Sequence, residues 1–337
     1  MRALVWAGGT EVTVEERPRP EAADGQVLVD VAFCGLCGTD LHICAGEHPR
    51  ARPGIVLGHE LSGRLATPAA GLAAGTKVVV DPLLPCGRCR PCRGGRPHTC
   101  ANLRLLGIDV PGGAAQQVAV PADRVVPVPG HADLRRLAFA EPLAVAVRAV
   151  RRSGLAIGES VTVAGAGPVG LAVAACARLA GAARVLVAEP LPGRRRLAAD
   201  LGFDTAETLD GSQAEVVFDA AAHPAVAAGL AEAVAVGGRA VLVGVYGRPA
   251  PLDLRALTFK EVTVLGTRVY SRDDLAVATA MVADGRFDPD PLITRTVPLA
   301  EAPAAVDDLR AGREVKLLVE GSGEPQGGAP VDGEGGP

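Results

Sequence analysis

Between Glu141 and Arg286 the sequence alternates short apolar segments with stretches rich in alanine and leucine. Five of the apolar segments are bounded like β-strands, and they read SVTVAGAG, ARVLVAEP, AEVVFDAA, RAVLVGVY and EVTVLGT. Strands that are separated by helices pair in parallel, because each helix returns the chain to the same end of the sheet. This region therefore predicts an α/β fold of the Rossmann type, with a doubly wound parallel sheet.

The flanking segments predict a second, β-rich domain. Residues 1–137 contain seven of the eight cysteines and short runs such as QVLVDVAF and TKVVVDP, and residues 288–320 end in the strand-like EVKLLVE. We predict one domain of residues 1–147 and 288–320 and a Rossmann domain of residues 148–287. The tail, residues 321–337, is mostly glycine, proline and small polar residues, and we predict it to be disordered because it cannot bury enough apolar area.

Charge and hydropathy exclude several classes of partner. A formal net charge of −4 gives no long-range attraction for nucleic acid or for an anionic membrane surface. The N-terminus has no basic start followed by an apolar stretch, and no window holds eighteen purely apolar residues. We therefore expect a cytoplasmic protein with neither a nucleic-acid nor a membrane partner.

Four cysteines lie close together in the pattern C-x2-C-x2-C-x7-C, at Cys86, Cys89, Cys92 and Cys100. Four thiolates on one loop can close a tetrahedron around zinc, and a filled sulfur shell leaves no open position. The pattern therefore predicts a structural zinc site. The alternatives are an iron–sulfur cluster, a site in which His98 replaces one sulfur, and a set of unliganded thiols.

A second group of metal ligands would have an open position. The segments CGLCGTDLH and GHE offer a mixed set of sulfur, nitrogen and oxygen ligands in Cys37, His59 and Glu60. Glu141, in AEPLAV, is a candidate fourth ligand. Catalytic zinc needs about three protein ligands and one exchangeable position, which this set would supply.

The segment VTVAGAGPVG has the spacing of a dinucleotide-binding loop, since an apolar strand precedes it and a helix-like LAVAACARLA follows it. Its first glycine permits the tight turn, its second allows the backbone to approach a pyrophosphate, and its third allows close helix–strand packing. Phosphates would then face the N–H groups at the start of the helix. The predicted binding residues are Gly165, Gly167, Pro168, Val169 and Gly170.

The next strand ends at Glu189, 19 residues after Gly170. A carboxylate at this position accepts hydrogen bonds from the adenosine ribose and repels a 2′-phosphate. We therefore expect NAD rather than NADP, although Arg194, Arg195 and Arg196 argue mildly the other way.

Taken in order, CGLCGTDLH, GHE, the four-cysteine loop, AEPLAV and VAGAGPVGL resemble the zinc-containing medium-chain dehydrogenases. The similarity runs from Met1 to about Glu320, and the sorbitol, threonine and polyol dehydrogenases are the most similar branch. The resemblance implies a GroES-like catalytic domain beside the Rossmann domain, with the active site in the cleft between them. It also implies a homo-oligomer, a dimer or a tetramer formed through the edges of the Rossmann sheets.

The same resemblance assigns roles to residues. Catalytic zinc would be held by Cys37, His59, Glu60 and Glu141. In some members the Glu60 position does not contact the metal directly, and the Glu141 position either ligates the metal or hydrogen-bonds its water. Asp40 would orient the metal-binding histidine. Thr39 and His42 would pass the alcohol proton outward, unless His42 is only a solvated histidine. Arg194 would lie beside the adenine ribose, and the nicotinamide would be lined by Val243, Gly244, Val245, Thr267 and Arg268.

The chain is thus expected to bind two zinc ions and to transfer a hydride between a secondary alcohol and NAD. Relatives carry an aromatic-containing stretch after the zinc loop where this chain reads GGAAQQV. Because aromatic residues make up only 3% of the chain, a small polyhydroxylated substrate is favoured: a polyol, cyclitol, sugar alcohol or amino alcohol. The alternatives are an NADP(H)-dependent alcohol or carbonyl reductase of the same superfamily and a non-catalytic protein that binds NAD or zinc.

Overall fold

A computed structural model describes residues 1–69 and 71–321 of the chain. The chain divides into two compact units. The first unit comprises Met1–Pro82, Leu105–Ala138 and the chain from Arg295 onward. The second unit comprises Leu83–Arg104 and Phe139–Thr294.

The strands are short and fall into both units. In chain order they are β1 (Arg2–Gly8), β2 (Glu11–Glu16), β3 (Gln26–Leu36), β4 (Ile55–Val56), β5 (Glu60–Leu65), β6 (Lys77–Val80), β7 (Leu83–Leu84), β8 (Arg104–Leu105), β9 (Gln117–Pro121), β10 (Val125–Pro127), β11 (Ser160–Ala164), β12 (Arg184–Ala188), β13 (Asp204–Ala206), β14 (Ala214–Asp219), β15 (Val234–Leu242), β16 (Thr263–Gly266), β17 (Ile293–Pro298) and β18 (Lys316–Glu320).

Most of the long helices belong to the second unit. The helices are α1 (Gly38–Cys44), α2 (Arg90–Arg93), α3 (Leu134–Leu137), α4 (Ala140–Ser153), α5 (Pro168–Leu179), α6 (Pro192–Asp200), α7 (Pro224–Ala233), α8 (Leu254–Phe259), α9 (Arg272–Ala283) and α10 (Ala302–Arg310). Short 3-10 helices lie at Pro97–Thr99, Ala122–Arg124 and Leu299–Glu301.

The first unit is built on a sheet in the order β10-β6-β5-β3-β18-β17, with β9 also paired to β3. Its central strand, β3, buries Val27, Val29 and Val31 at alternate positions, as a half-buried strand does. Strands β5 and β18 run antiparallel to β3, and their registers pair Glu60 with Gly35 and Leu317 with Leu36. Both strands therefore bring polar residues to the same end of β3, next to α1.

The second unit contains a parallel sheet in the order β13-β12-β11-β14-β15-β16. The order reverses between β11 and β14, since the chain first builds outward through β12 and β13 and then through β15 and β16. In open α/β sheets the crevice at such a reversal, outside the carboxyl ends of the strands, is where ligands bind. Buried apolar residues from several strands and α7, among them Val217, Leu230 and Ala240, form a core on this sheet.

These observations confirm the predicted fold class. All five apolar segments between Glu141 and Arg286 form strands of the parallel sheet, and only the three-residue β13 lies outside the predicted set. The compact units differ from the predicted domains in three places: the four-cysteine segment in Leu83–Arg104, residues 139–147 and residues 288–294 all belong to the same unit as the parallel sheet. The domain boundaries stay a prediction.

Two further expectations concern the termini and the membrane. Apart from Gly321, the predicted tail of residues 321–337 lies outside the described residues. Among residues 1–69 and 71–321, no helix has both the length and the apolar character needed to cross a membrane.

Candidate active site

The first group of candidate ligands is assembled at the start of α1. Cys37 is the N-cap of this helix, and its sulfur accepts the backbone N–H of Thr39 at 3.2 Å. In return, Asp40 Oδ2 accepts the backbone N–H of Cys37 at 3.0 Å, which completes a capping box. The position of the Cys37 sulfur and of the Asp40 carboxylate is thus supported by contacts that are local in sequence.

His59 meets this group from the segment before β5. Its Nε2 lies 3.1 Å from Cys37 Sγ, and its Nδ1 lies 4.0 Å from Asp40 Oδ2. The other Asp40 oxygen accepts the backbone N–H of Gly58 at 3.2 Å. His59 and Asp40 are both buried, so the carboxylate holds the segment and stands behind the imidazole ring.

The donor set fits zinc. A zinc ion bound at about 2.3 Å from sulfur and about 2.0 Å from nitrogen holds those two atoms roughly 3.5 Å apart at the tetrahedral angle. The observed separation of 3.1 Å is close to that value. Cys37, Asp40 and His59 bring their candidate ligand atoms within 4.8 Å of one another, with the carboxylate placed behind a ligating histidine as such sites require.

Glu60 has a partner that sequence reasoning missed. Lys316 Nζ lies 2.7 Å from each Glu60 carboxylate oxygen and also donates to Leu36 O at 3.1 Å. Both residues are 1% exposed. A Cβ on Gly35 would lie 2.1 Å from Glu60 Oε2, so the carboxylate rests on a backbone that only glycine provides. The one available signal is that lysine occurs only at Lys77, Lys260 and Lys316 in an arginine-rich chain.

The remaining predicted catalytic residues lie on helices. Thr39 and His42 are three residues apart on α1, which puts them on neighbouring positions of one helix face. His42 is exposed, and its Nδ1 lies 2.9 Å from Glu47 Oε2. Glu141 lies in the second unit, buried in the first turn of α4. The proton-relay role of Thr39 and His42 and the ligand roles of Glu60 and Glu141 stay predictions.

The four cysteines of the loop converge on one point. Cys89 Sγ lies 3.4 Å from Cys92 Sγ and 3.8 Å from Cys100 Sγ. Zinc–sulfur bonds of about 2.3 Å give a tetrahedron with edges of roughly 3.8 Å, so the spacing fits a tetrathiolate zinc site. The backbone N–H groups of Cys86 and Asn102 both donate to the Cys100 sulfur, at 3.3 Å each, as they would to a thiolate.

The backbone of the loop stabilises negative charge on sulfur. The N–H groups of Arg88 and Cys89 lower the pKa of the Cys86 thiol to about 6. Cys92 shows the opposite effect, because burial and then the neighbouring sulfurs raise the pKa of its thiol to about 12. His98 does not join the sulfurs; its Nε2 lies 3.4 Å from Arg148 Nη2. Thus the observed geometry favours four sulfur ligands over a site that includes His98.

The three remaining cysteines are buried. Cys34 and Cys44 are fully buried, and Cys176 is 4% exposed. Burial raises the pKa of the Cys176 thiol to about 12, so this thiol does not ionise near neutral pH.

The glycine-rich loop has the geometry of a phosphate cradle. Gly165 has φ +100°, which L side chains rarely adopt, and a Cβ on Gly170 would lie 2.0 Å from Gly165 O. A Cβ on Gly167 would meet nothing, which leaves space above the start of α5. That helix begins at Pro168 after an N-cap without a side chain, so its first N–H groups are available to an anion.

Glu189 ends the strand beside this loop and holds it in place. Its Oε2 accepts the backbone N–H of Ala166 at 2.8 Å, and its Oε1 accepts that of Leu191 at 2.9 Å. Each carboxylate oxygen keeps a second lone pair for a ribose hydroxyl. Arg194 lies nearby in the first turn of α6, with its Nε buried and without a hydrogen-bond partner among the described residues.

The residues assigned to the nicotinamide follow β15 and β16. Val243 is buried and Val245 is 89% exposed, while Gly244 lies between them with a backbone N–H bonded to Asp219 O at 2.9 Å. Thr267 donates its N–H and its hydroxyl to Leu242 O, at 3.0 and 3.1 Å. Arg268 is exposed. These segments and the glycine loop all lie at the carboxyl edge of the parallel sheet.

Comparisons with protein families match most of the chain. Residues 23–130 match the alcohol dehydrogenase GroES-like domain, and residues 168–284 match the zinc-binding dehydrogenase family.

Individual relatives agree with these matches. The 2-dehydro-3-deoxy-L-galactonate 5-dehydrogenase of Pseudoalteromonas atlantica is 35% identical over 96% of this chain and 100% of its own. The L-galactonate-5-dehydrogenase of Escherichia coli K12 is 32% identical over 89% of this chain and 92% of its own.

A solved structure is similar over nearly its whole length. It is described as a zinc-binding dehydrogenase from Sinorhizobium meliloti 1021 bound to NADP, and it superposes with a TM-score of 0.88 at 32% identity. The comparison covers 95% of this chain and 98% of that one. The expected resemblance is confirmed: the chain is an oxidoreductase that belongs to the zinc-containing medium-chain dehydrogenase superfamily, in its polyol dehydrogenase branch.

Proposed function

We propose that this protein oxidises a secondary alcohol to the ketone with NAD as hydride acceptor, at a zinc site held by Cys37 and His59. The observation that carries the proposal is the 3.1 Å approach of Cys37 Sγ to His59 Nε2, with Asp40 behind the ring. A non-catalytic binding protein does not need a metal site that leaves one ligand position open. Zinc bound at this point would supply Lewis-acid chemistry that lowers the pKa of an alcohol hydroxyl.

The residues around the site have distinct tasks in this proposal. Asp40 fixes the Cys37 backbone and faces the Nδ1 side of His59, so that Nε2 points at the sulfur. The Thr39 hydroxyl takes up the alcohol proton as it passes its own proton on, and His42, exposed one turn along α1, delivers a proton to solvent. Glu60 and Glu141 remain the proposed additional ligands, with Lys316 competing for the Glu60 carboxylate.

The substrate is proposed to be a small polyhydroxylated compound. The support is the replacement of an aromatic stretch by GGAAQQV, together with two relatives whose names specify oxidation of sugar acids. The test is NAD reduction, followed by absorbance, with a panel of polyols, cyclitols, amino alcohols, sugar acids and simple alcohols. If only simple monoalcohols are oxidised, the proposal of a polyhydroxylated substrate is rejected, while the proposal of NAD-linked alcohol oxidation stands.

NAD is the proposed cofactor, because the Glu189 carboxylate would repel a 2′-phosphate. Replacing Glu189 with glutamine should lower the ratio of kcat/KM for NAD to that for NADP by about tenfold or more, since a neutral amide no longer repels the phosphate. Glu207→Gln, an exposed change just after β13, is the control and should leave the ratio unchanged. An unchanged ratio in Glu189→Gln would reject Glu189 as the discriminating residue.

We also propose that the protein is a homo-oligomer joined through β16. This strand is the last of the parallel sheet, and Val264 on it and Phe259 before it are 36% and 76% exposed. An exposed edge strand with apolar side chains is suited to pairing with the same strand of a second copy around a two-fold axis.

Val264→Lys should shift the protein from an oligomer to a monomer in light scattering, because two lysines would face each other at the two-fold axis. Ile157→Lys changes an equally apolar residue that is 88% exposed before β11, and it should leave the mass unchanged. An oligomer that persists in Val264→Lys would place the interface elsewhere.

The remaining proposals concern domains and location. The functional domains are proposed as residues 1–147 with 288–320 and residues 148–287. The cytoplasm is the proposed compartment, since eight free cysteines, four of them grouped so that they could hold a metal ion, suit a reducing environment.

A further inference from the structure

One buried carboxylate joins two of the loops at the carboxyl edge of the parallel sheet. Asp219 is the last residue of β14 and is fully buried. Its Oδ1 accepts the backbone N–H groups of Ala221 at 3.1 Å and Ala222 at 2.9 Å. Its backbone carbonyl accepts the N–H groups of Val243 and Gly244, both at 2.9 Å. Asp219 therefore binds both the loop after its own strand and the loop after β15.

The second carboxylate oxygen is bonded to the far part of the loop after β15. The Tyr246 hydroxyl donates to Asp219 Oδ2 at 2.5 Å. Burial and the Asp219 carboxylate raise the pKa of Tyr246, so the hydroxyl remains a donor at neutral pH. The neighbours Val245 and Gly247 are exposed, so the tip of this loop has little packing apart from the tyrosine.

The two loops touch each other closely. Ala222 has φ +49°, a left-handed conformation that costs an alanine free energy. A Cβ on Gly244 would lie 2.8 Å from Ala222 Cβ. Such backbone strain persists only where the surroundings over-determine it, and here the Asp219 carboxylate binds the strained segment.

We propose that Asp219 and Tyr246 form a positioning pair that holds the loop of residues 243–247 in the conformation that binds the nicotinamide cofactor. The inference rests on the proposed function, in which Val243, Gly244 and Val245 line the nicotinamide. With the pair intact, the loop is ordered before the cofactor arrives. Without it, the loop must be ordered on binding, which weakens affinity.

The experiment uses the full-length, zinc-loaded protein and Tyr246→Phe, which removes only the hydroxyl. Titration with NADH, followed by its fluorescence, should show a Kd raised about tenfold, as expected for loss of one hydrogen bond to a charged group. With saturating cofactor and substrate, kcat should stay within about twofold, because the loop is then ordered by the cofactor. In the cofactor-free protein, the amides of Val243 and Gly244 should exchange faster with deuterium.

Two further variants separate positioning from general stability. Asp219→Asn keeps an acceptor for Ala221 and Ala222 and a polar partner for the tyrosine, so it should raise the Kd less than Tyr246→Phe. Thr13→Val removes another hydroxyl–carboxylate bond, from Thr13 to Glu15 at 3.2 Å in β2, and it should change neither Kd nor exchange.

Several results would overturn the proposal. An unchanged NADH affinity in Tyr246→Phe, when the unaltered protein binds NADH, rejects the positioning role alone. A lower Tm with unchanged affinity and unchanged exchange gives the pair a purely structural role and also rejects it. If the unaltered protein binds neither NADH nor NADPH, the proposed function fails and the positioning role fails with it.

Discussion

Replacing Cys37 with serine should reduce alcohol oxidation at least about a thousandfold, because Lewis-acid stabilisation by a metal contributes several kcal/mol to the transition state. The fold should survive, since serine is itself a favoured N-cap for α1. The measurements are kcat/KM with the best substrate of the panel, zinc content by elemental analysis, and circular dichroism. Zinc should fall from two per chain to one.

The matched control for that variant is Cys176→Ala, which removes a buried thiol whose pKa is raised by burial alone. It should keep both zinc ions and nearly full activity. Unchanged hydride transfer in Cys37→Ser would contradict the assignment of the catalytic metal to Cys37. Loss of both zinc ions together with the circular dichroism signal would instead show that Cys37 is needed for folding.

Replacing Lys316 with methionine should lower the free energy of unfolding by about 3–5 kcal/mol, because the buried Glu60 carboxylate would lose its charge partner. The measurement is denaturant unfolding, compared with the unaltered chain. Changing Lys316 and Glu60 together to methionine should restore most of the lost free energy of unfolding. The reason is that replacing a buried ion pair with apolar side chains often leaves stability nearly unchanged.

Lys77→Met provides the control for the lysine change. Lys77 Nζ donates to Ala132 O at 2.7 Å but has no carboxylate partner among the described residues, so its removal should cost about 1 kcal/mol. If Lys77→Met and Lys316→Met lower the free energy of unfolding by similar amounts, the ion pair of Lys316 with Glu60 contributes no more to stability than an ordinary hydrogen bond does. If the variant with both Lys316 and Glu60 changed to methionine is as unstable as Lys316→Met, the unpaired Glu60 carboxylate is not the cause of the lost stability.

Features encoded in short stretches of sequence could be predicted. The glycine loop from Gly165 to Gly170 and the four-cysteine segment from Cys86 to Cys100 each lie in one short stretch of chain, so residue spacing was enough to predict them. Cys37 and Asp40 likewise meet through a single capping box. The apolar strands of the second unit were predictable because parallel strands are buried on both faces and read as continuous apolar runs.

Contacts between distant residues could not be predicted. Lys316 and Glu60 are 256 positions apart, and only the pairing of β18 and β5 with β3 brings them together. Asp219 is a polar residue at the carboxyl end of an apolar strand, a position that often faces a ligand-binding crevice. Nothing in the sequence relates it to Tyr246, which lies 27 positions later. The three-residue β13 is too short to carry a period, and only its pairing with β12 defines it.

Removal and return of zinc, with NADH formation followed on the same sample, tests the central claim most directly. We expect two zinc ions per chain in the purified protein, loss of NAD-linked alcohol oxidation when a chelator removes the catalytic ion, and recovery when zinc is added back. Full turnover in protein freed of metal would contradict the account. Two bound zinc ions without turnover of any alcohol, or of the matching ketones with NADH, would contradict it equally.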